Sequence, residues 1–488
     1  MSTAKKLPVL FATSEVAPLI KTGGLADVAG SLPPALMHAG VEARVIVPGY
    51  KQVLEGVKSK GKVAAFPALG EMPPSQLLAG KLPSGVPLLI IDCPQLYDRP
   101  GGPYQDTSGN DWSDNVLRFG LLSYISAMLG SPASPLSWRP RIVHCNDWQT
   151  GLAPVYLHFM PGDKARTVMT IHNLAYQGIF PPTTGSRLGL PPSSFSPNGV
   201  EYYGNMSFLK AGLFYCDHIT TVSPNYAREI QGEPLGMGMQ GLLAHRAAAL
   251  TGILNGIDTD AWDPETDPYI ARYYNASRLP VKLENKRALQ ERLGLVVDEK
   301  IPVLGTIGRF THQKGLDLLL ETAPALVELP AQLVVLGSGD AKLQEGYSSL
   351  ARTFPGRIAV HIGYDEGLSH QIEAGADIFL MPSRFEPCGL NQMYSQRYGT
   401  PPVVHDTGGL HDSVVDAVPQ TLNDKSATGF VFSPMTTAEF SSAVQRAVAA
   451  YQSQKIWRQL QKNGMARDFS WEASAQRYIS LYESLVPA

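Results

Sequence analysis

The chain has 488 residues, which is too long for one hydrophobic core and predicts two large domains. Hydrophobic residues make up 44% of it and charged residues 17%, a balance typical of a soluble globular protein and not of a disordered one. The formal net charge of −3, without a long run of lysine or arginine, predicts no attraction to nucleic acid or to an anionic membrane. Any bound anion must therefore be held by a local group of basic residues.

The four cysteines stand far apart and include no C-x-x-C pair, which predicts reduced thiols and no zinc or redox dithiol site. The apolar run at 7–12 follows two lysines but is too short for a signal peptide. No apolar run approaches the roughly 20 residues needed to cross a bilayer. We therefore expect a cytoplasmic protein.

A glycine turn near the start of the chain is the first candidate ligand site. Lys21-Thr22-Gly23-Gly24 follows the apolar run 9–12, which predicts a buried strand, and opens a helical pattern. The two glycines would let a ligand reach the backbone, and the helix N-terminus and Lys21 would attract an anion. A tight turn with a solvated lysine is the alternative interpretation. Because Thr407-Gly408-Gly409 repeats the pattern after the apolar run 402–404, we expect two α/β domains that face one anionic ligand.

Further apolar runs in the first half predict buried strands at 43–47, 87–92, 141–144, 167–171 and 218–222, with a helix at 116–129. Polar residues follow several of these runs at once, among them Asp147, His172 and Asn173. Open parallel sheets bind ligands at the carboxyl ends of their strands, so these residues form a candidate site together with Lys21. Turn or cap roles are the alternative.

Two motif matches lack the context that their chemistry needs. The run from Gly236 to Gly241 fits the dinucleotide fingerprint G-x-G-x-x-G, but a polar, strand-poor segment precedes it, so we interpret it as a flexible loop between the halves. Asp258-Thr259-Asp260 fits a metal-binding triplet, yet short Asp-rich turns more often cap helices. We expect neither a nicotinamide cofactor nor a metal ion.

The second half predicts a doubly wound sheet. Strands are expected at 302–309, 332–336, 357–362 and 377–381, with helical patterns between them. Arg309 and Lys314 flank the turn after the first of these strands and could bind one diphosphate, or could simply be solvated. Tyr364 follows a strand and could stack on a base or belong to the core.

Glu386 comes just before a predicted helix that runs to Tyr398. Its carboxylate could cap that helix, or it could accept hydrogen bonds from sugar hydroxyls while the amides of Cys388, Gly389 and Leu390 bind an anion. The aromatic-rich pattern at 469–485 predicts a C-terminal helix that packs across both domains.

These motifs resemble those of the bacterial glycogen synthases, close relatives of plant starch synthases. The motifs that carry the resemblance run in the family's order over nearly the whole chain: Lys21-Thr22-Gly23-Gly24-Leu25, Thr170-Ile171-His172-Asn173, Tyr176-Gln177-Gly178, Asn255-Gly256-Ile257-Asp258, Arg309 with Lys314-Gly315, Glu386-Pro387-Cys388-Gly389-Leu390 and Thr407-Gly408-Gly409-Leu410. The resemblance implies a retaining glycosyltransferase of the GT-B type, with two facing Rossmann-like doubly wound α/β domains and a cleft between them. The predicted domains are 1–245 on the acceptor side, 246–465 for the nucleotide sugar, and the C-terminal helix at 466–488.

The resemblance implies that ADP-glucose is the donor, that the non-reducing end of an α-1,4-glucan such as glycogen is the acceptor, and that the α configuration is retained. It assigns Lys21, Arg309 and Lys314 to the diphosphate and Tyr364 to the adenine. His172 and Glu386 would hold the glucose, with Asp147 and Asn255 lining the cleft and Cys388 beside it. The other expected substrate-binding residues belong to the same motifs: Gly23, Gly24, Asn173, Gly389, Leu390, Thr407 and Gly408.

The chain departs from the family's pattern in two places. The family commonly has His-Ala-His-Asp-Trp where this chain has His144-Cys145-Asn146-Asp147-Trp148, and alanine where this chain has His411. Both departures concern the expected acceptor contacts and leave the expected nucleotide site unchanged.

Two mechanisms fit these residues. The acceptor could attack from the face that the diphosphate leaves, with cations and helix amides stabilising the leaving group. Alternatively, Glu386 and Asp147 could act as a carboxylate pair through a covalent intermediate. We expect the first, as the family suggests, together with a hinge near 240–260 that closes the site against water. A UDP-sugar transferase acting on a small acceptor and a non-catalytic glucan-binding protein remain the alternatives, and the sequence leaves the oligomeric state open.

Overall fold

Parallel strands form the centre of both halves of the chain in the computed structural model, which describes residues 6–486. The chain divides into two compact units, of which one runs to Gly256 and resumes at Trp471, and the other is Ile257–Ser470. The predicted boundary after residue 245 lies before the last strand of the first sheet. That strand pairs with its neighbour, so the first unit extends further along the chain than predicted.

The first unit contains a nine-stranded sheet and a small three-stranded one. The strands of this unit are β1 (Pro8–Ala12), β2 (Glu42–Pro48), β3 (Gly61–Phe66), β4 (Ser75–Lys81), β5 (Pro87–Asp92), β6 (Ile142–Asn146), β7 (Arg166–Ile171), β8 (Ile179–Phe180), β9 (Glu201–Tyr202), β10 (Asn205–Ser207), β11 (His218–Thr221) and β12 (Leu250–Gly252). The large sheet has the order β12-β11-β7-β6-β1-β2-β5-β4-β3, and the small antiparallel sheet has the order β8-β10-β9.

The predicted strands of the first unit are all present, and most of them carry an apolar run typical of a strand buried on both faces. Strands β3 and β4 were missed. They form an antiparallel extension at one end of the sheet, and β3 is largely exposed although its sequence contains the short apolar run Val63-Ala64-Ala65-Phe66.

Between residues 6 and 256, nine α-helices lie among these strands in the chain. They are α1 (Gly24–His38), α2 (Lys51–Gly56), α3 (Pro94–Tyr97), α4 (Asn115–Leu129), α5 (Ala153–Phe159), α6 (Thr184–Arg187), α7 (Phe208–Tyr215), α8 (Pro224–Glu229) and α9 (Gln240–His245). The fingerprint-like run from Gly236 spans a turn and the start of α9, and helix α8, not a strand, precedes it. It belongs to the first unit and is not a linker between the two, because the Met237 carbonyl accepts hydrogen bonds from Gln177 and Tyr202.

The second unit has a six-stranded parallel sheet. Its strands are β13 (Val303–Ile307), β14 (Gln332–Gly337), β15 (Ile358–Ile362), β16 (Ile378–Met381), β17 (Pro402–His405) and β18 (Phe430–Phe432), in the order β15-β14-β13-β16-β17-β18. Its helices are α10 (Lys282–Arg292), α11 (Leu316–Glu328), α12 (Ala341–Thr353), α13 (Glu366–Gly375), α14 (Asn391–Arg397), α15 (Gly408–Ser413), α16 (Pro419–Asn423), α17 (Thr437–Tyr451) and α18 (Gln454–Met465).

Helices cover both faces of this second sheet. Leu304 and Leu333 belong to a core with α11 and α17, whereas Val303 and Val334 belong to a separate core with α10 and α13. Successive strand residues point to opposite faces, so each strand feeds both cores. This is the doubly wound arrangement that the sequence predicts, and it brings the ends of β13, β16 and β17 together at one edge.

The last helix, α19 (Trp471–Leu485), returns to the first unit. Its Tyr482 is buried, and the hydroxyl lies 2.7 Å from Nδ1 of His144 in β6. His144 is therefore a core residue whose second ring nitrogen bonds Thr170 Oγ1 at 2.6 Å. Over residues 6–486, none of the helices combines the length and hydropathy that crossing a membrane requires.

Candidate active site

The Lys21 loop joins β1 to α1, as predicted, but two of its amides are not free. The backbone N–H groups of Thr22 and Gly23 both donate to Oε2 of Glu15. Glu15 is buried, and its other carboxylate oxygen accepts the hydroxyl of Tyr104. An acidic side chain of the same chain thus occupies the place that an anionic ligand was expected to take, which corrects that part of the prediction. Burial raises the pKa of Glu15, and its hydrogen bonds oppose that shift.

Lys21 itself is half exposed, and its Nζ lies 2.7 Å from Oδ1 of Asp27 in the first turn of α1. An exposed pair of this kind is weak and exchanges readily for another anion. Sequence reasoning missed Glu15. The available signal was an acidic residue directly after a buried strand and a few residues before a Gly-Gly turn.

The two Thr-Gly-Gly motifs have different structural reasons for their glycines. A Cβ at Gly23 or at Gly24 would meet no heavy atom within 4 Å, so packing does not require either glycine and the backbone stays accessible. Gly408, by contrast, has a φ of +44°, and a Cβ there would lie 2.0 Å from the Glu386 carbonyl oxygen. The N–H of Gly409 donates to that same oxygen at 3.0 Å.

Gly408 and Gly409 therefore bring α15 against the backbone of the Glu386 turn, and the buried Thr407 precedes them. That the two glycine-opened helices belong to domains that face one anionic ligand stays a prediction; only the first glycine pair leaves open space beside its backbone. Motifs with the same letters serve different purposes in the two units.

In the first unit, Asp147 follows β6 and lies beside His172, which follows β7. The Asp147 backbone has a φ of +53°, a conformation that costs free energy and is found where the surrounding structure imposes it. Its Oδ1 accepts the His172 backbone N–H at 2.7 Å. Burial raises the pKa of Asp147 to about 7, although the backbone hydrogen bonds lower it in part.

The ring of His172 is oriented by Asn146. The Asn146 Nδ2 group donates to the carbonyls of Ala12 at 3.0 Å and His144 at 3.3 Å, which leaves its Oδ1 as an acceptor. That oxygen lies 2.9 Å from His172 Nε2, so Nε2 carries the proton and Nδ1 presents a lone pair. Burial lowers the pKa of His172 to about 3 and keeps the ring neutral. His172 can accept a hydrogen bond from a hydroxyl, but it cannot supply a positive charge at neutral pH.

Two other predicted residues of this unit are asparagines. The half-buried Asn173 accepts the Ala175 N–H at 3.0 Å through its Oδ1, so it stabilises the turn after β7. Asn255 is buried, and its Oδ1 has no hydrogen-bond partner among residues 6–486. An unsatisfied buried acceptor is costly, and a ligand hydroxyl would satisfy it.

In the second unit, Lys314 and Glu386 form an ion pair between the turns that follow β13 and β16. Lys314 Nζ lies 2.5 Å from Glu386 Oε2, which also accepts the Ser383 hydroxyl at 2.9 Å. The side chain of Glu386 is 7% exposed and that of Lys314 is 23% exposed. Glu386 is not the N-cap of α14, which is Leu390; its carboxylate instead fixes a cation at the carboxyl edge of the sheet.

Backbone contacts hold these two turns together. Gly315 has a φ of +66°, and a Cβ there would lie 1.8 Å from the Pro382 carbonyl oxygen. Arg384 makes two hydrogen bonds of 2.7 Å with the carboxylate of Asp317 at the start of α11. The close backbone approach at Gly315 and the ion pair between Arg384 and Asp317 thus fix the position of Lys314 relative to Glu386.

Arg309 is exposed, and within the described part of the chain its guanidinium has neither a hydrogen bond nor an ion pair. Its backbone is fixed by the turn after β14, since the Phe310 N–H donates to the Ser338 carbonyl at 2.8 Å. Gly337 and Gly339 have φ values of +158° and +152°, and a Cβ on either would touch the 308–310 backbone. These two glycines were not predicted to belong to the site. Their signal was Gly-x-Gly directly after an apolar strand.

The segment before α14 also has free donors. Gly389, with a φ of +73°, and Leu390 have backbone N–H groups that find no acceptor among residues 6–486, while Cys388 is buried. Tyr364 is 82% exposed, and its hydroxyl donates to Glu366. It is therefore a surface residue and not the core tyrosine that the sequence left as an alternative.

Asp258 stabilises the turn that follows it. Its Oδ1 accepts the backbone N–H groups of Asp260 at 3.0 Å and Ala261 at 2.9 Å. Within residues 6–486, the structure shows no group of three or more His, Cys, Asp or Glu side chains arranged to hold a metal ion.

Alanine substitutions test whether the glycines of the two motifs differ in their importance for stability. We predict that Gly408→Ala lowers the free energy of unfolding by about 2–4 kcal/mol, because the new Cβ meets a backbone oxygen and the residue has a positive φ. Gly23→Ala should change it by less than about 0.5 kcal/mol, because space is open and the backbone is extended. Guanidinium unfolding of both variants measures this. Equal effects of the two substitutions would contradict the assignment.

The raised pKa of the buried Asp147 carboxyl predicts that the free energy of unfolding depends on pH. Its pKa is raised from 3.8 to about 7, so its contribution to stability is greatest at low pH and is lost as the pH rises through 7. Between pH 5 and pH 8, wild-type stability should therefore fall by about 2–3 kcal/mol relative to Asp147→Asn. Denaturant unfolding of the two proteins at both pH values measures this difference. Asp163→Asn, with a side chain that is 90% exposed, is the matched control and should show none. A pH-independent difference for Asp147→Asn would contradict the raised pKa.

Comparison with known proteins supplies the context for this geometry. The starch synthase catalytic domain family matches residues 8–245, and the glycosyl transferases group 1 family matches residues 290–464. A glycogen synthase of Nitrosomonas eutropha is 58% identical, over 99% of this chain and 97% of the relative. One from Dechloromonas aromatica is 55% identical, over 98% and 99%.

Solved structures agree with the sequence relatives. The catalytic domain of starch synthase IV from Arabidopsis thaliana, bound to ADP and acarbose, has a TM-score of 0.88 and 32% identity, with 99% of this chain and 100% of that chain covered. A sucrose-phosphate synthase from Thermosynechococcus elongatus, with a TM-score of 0.57 and 16% identity over 99% of both chains, shares the fold alone. The predicted fold class, two Rossmann-like domains of the GT-B type, is confirmed. By its sequence and its fold, the chain belongs to the bacterial glycogen synthases, glycosyltransferases related to the starch synthases.

Proposed function

We propose that the protein transfers glucose from ADP-glucose to the non-reducing end of an α-1,4-glucan such as glycogen, with retention of the α configuration and release of ADP. The relatives named glycogen synthase and the starch synthase structure that contains ADP and acarbose support this proposal. The observation that carries it is the Lys314–Glu386 pair, 2.5 Å apart, in the same unit as the unpaired Arg309.

The leaving group explains why these cations are needed. When the bond between glucose C1 and the diphosphate breaks, negative charge grows on the phosphate oxygen, and fixed positive groups lower the energy of that state. Arg309 has all of its donors available, and Lys314 retains two N–H groups while the third holds Glu386. The free amides of Gly389 and Leu390 would add to this stabilisation. From the first unit, Lys21 would exchange Asp27 for the diphosphate.

Hydrogen-bond acceptors with no partner among residues 6–486 could bind the hydroxyl groups of the glucose. The lone pair on His172 Nδ1 can accept a glucose hydroxyl, and the neutral ring does not compete for the diphosphate. Glu386 Oε1 has no partner within the described residues and can accept a second hydroxyl. Asn255 Oδ1 offers a third acceptor. Tyr364 would lie against the adenine, because its ring is 82% exposed and an aromatic ring can stack on a base.

In each candidate carboxylate, one oxygen is already held by other groups of the protein, which supports same-face attack over a covalent intermediate. Asp147 accepts the backbone N–H groups of His172 and Asn173, and Glu386 Oε2 holds Lys314 and Ser383. In the proposed step the acceptor hydroxyl oxygen bonds glucose C1 as the C1–phosphate bond breaks, and the hydroxyl proton passes to the leaving phosphate oxygen. A glucosyl group trapped on a side chain would contradict this mechanism.

The four cysteines are buried and none of them forms a disulfide bond in the structure, which supports our proposal of a cytoplasmic location.

One assay distinguishes the proposal from its two alternatives. The protein is incubated with glycogen and either ADP-glucose or UDP-glucose, each labelled in the glucose, and both glucan incorporation and nucleotide release are measured. We expect incorporation from ADP-glucose together with ADP release. Preference for UDP-glucose, with transfer to a small acceptor only, would support the first alternative. Retention on glycogen without ADP release would support a non-catalytic glucan-binding protein.

Removal of either cation should impair the transfer. We predict that Arg309→Ala and Lys314→Ala each cost about 2–5 kcal/mol of transition-state stabilisation, roughly a 30-fold or larger loss in kcat/KM for ADP-glucose. Lys314→Ala also leaves the buried Glu386 carboxylate without its cation. Steady-state kinetics with glycogen measures both effects. Lys455→Ala, an exposed lysine on α18, is the matched control. Wild-type kcat/KM in either site variant would contradict the assigned roles.

A further inference from the structure

Tyr364 has a hydrogen-bond partner to which the proposed transfer gives no role. Its hydroxyl donates to Oε2 of Glu366, two residues further along the chain. The side chain of Tyr364 is 82% exposed, so packing contributes little to holding its ring. A ring that is to stack on a base therefore needs another group to fix its orientation.

The backbone of Tyr364 is already placed by its neighbours. Gly363 has a φ of +135°, and its N–H donates to the Gly337 carbonyl at 2.9 Å. Gly337 ends β14 and adjoins the turn that fixes the Arg309 backbone. Tyr364 and Arg309 thus follow the two strands that flank β14, and the orientation of the Tyr364 side chain remains to be set.

Glu366 is the first residue of α13, where a carboxylate stabilises the helix by its charge alone. The cap itself is supplied by Asp365, whose Oδ1 accepts the Leu368 N–H at 2.8 Å. The two oxygens of Glu366 have other neighbours. Its Oε2 accepts the Tyr364 hydroxyl, and its Oε1 lies 3.5 Å from Nε2 of His370. The Glu366 carboxylate therefore bridges an exposed tyrosine and a buried histidine.

His370 is held rigidly. Its side chain is 3% exposed, and its Nδ1 lies 2.7 Å from Oδ2 of the buried Asp267. The same carboxylate oxygen accepts the Tyr398 hydroxyl at 2.6 Å. The imidazole ring stacks on Trp262, with centroids 3.8 Å apart and an interplanar angle of 8°. These contacts on the edge and on the face of the ring fix His370, so its Nε2 gives Glu366 a stationary neighbour.

We propose that Glu366 is a positioning residue for the nucleotide base, because its carboxylate, fixed by His370, holds the Tyr364 ring in the orientation that stacks on adenine. The inference rests on the proposed function and deepens it, since it names what prepares the base site. A side chain that rotates freely loses that freedom when a ligand binds, and the loss weakens binding. A ring that is already held avoids most of this loss, and Glu366 itself need not touch the ligand.

The test is a double-variant comparison of Glu366→Ala, Tyr364→Phe and the two together, by calorimetric titration of ADP and of adenosine. Each single substitution removes the same hydrogen bond, so each should weaken the binding of both ligands about threefold to tenfold. The double variant should lose no more than either single variant. Equal losses for ADP and adenosine are expected, because the base is common to the two ligands.

Two further variants are controls. Glu366→Gln keeps an oxygen that can accept the Tyr364 hydroxyl, so its affinities should stay within about twofold of the wild-type values. Glu345→Ala removes a glutamate of α12 that is 72% exposed and should change neither affinity. In steady-state kinetics, Glu366→Ala should raise the KM for ADP-glucose while kcat at saturating donor stays within about twofold.

An unchanged adenosine affinity in Glu366→Ala would overturn the proposal. So would losses that add up in the double variant, because Glu366 would then act on the ligand without Tyr364. A loss in Glu366→Gln as large as that in Glu366→Ala would also contradict it, since the hydrogen-bond acceptor is still present. Failure of the proposed function would appear separately, as wild-type protein that transfers no glucose from ADP-glucose.

Discussion

The ion pair between Lys314 and Glu386 is the interaction around which the second unit's site is arranged. A buried carboxylate without a partner would cost several kcal/mol, so Glu386 keeps Lys314 in one position at the edge of the sheet. The neighbouring glycines serve this placement. Gly315 lets the Lys314 turn approach the Pro382 carbonyl, and Gly408 lets α15 approach the carbonyl of Glu386. The cation is therefore set before any ligand binds, which is what stabilisation of a leaving diphosphate requires.

The two units contribute different chemistry to the proposed transfer. The second supplies charge, through Arg309 and Lys314, whereas the first supplies mainly neutral acceptors, with His172 kept unprotonated by burial. Glu15 explains part of this contrast, because its carboxylate already occupies the Thr22 and Gly23 amides. A nucleotide-sugar donor, which has an anionic diphosphate and a sugar with hydroxyl groups, matches this division between charged and neutral groups.

Much of this organisation could be predicted from the sequence. Fully buried parallel strands have continuous apolar runs, so the strands that carry Asp147, His172 and Glu386 were placed correctly, and their polar residues fell at strand ends. The predictions that failed depended on contacts between residues that are distant in sequence. Nothing local distinguishes Gly23, with open space, from Gly408, with a carbonyl at 2.0 Å from a Cβ. The partnership of Glu15 with the Lys21 loop and the exposed strand β3 were invisible for the same reason.

The central proposal is that Lys21, Arg309 and Lys314 bind the diphosphate of the donor, and calorimetric titration of ADP and of adenosine tests it most directly. For Lys21→Ala, Arg309→Ala and Lys314→Ala, we predict that ADP affinity falls about tenfold or more, while adenosine affinity stays at the wild-type value. The nucleoside is the control for the base site, because it lacks the charged group. Wild-type ADP affinity in Lys21→Ala, or an equal loss for ADP and adenosine in any of the three variants, would contradict the account.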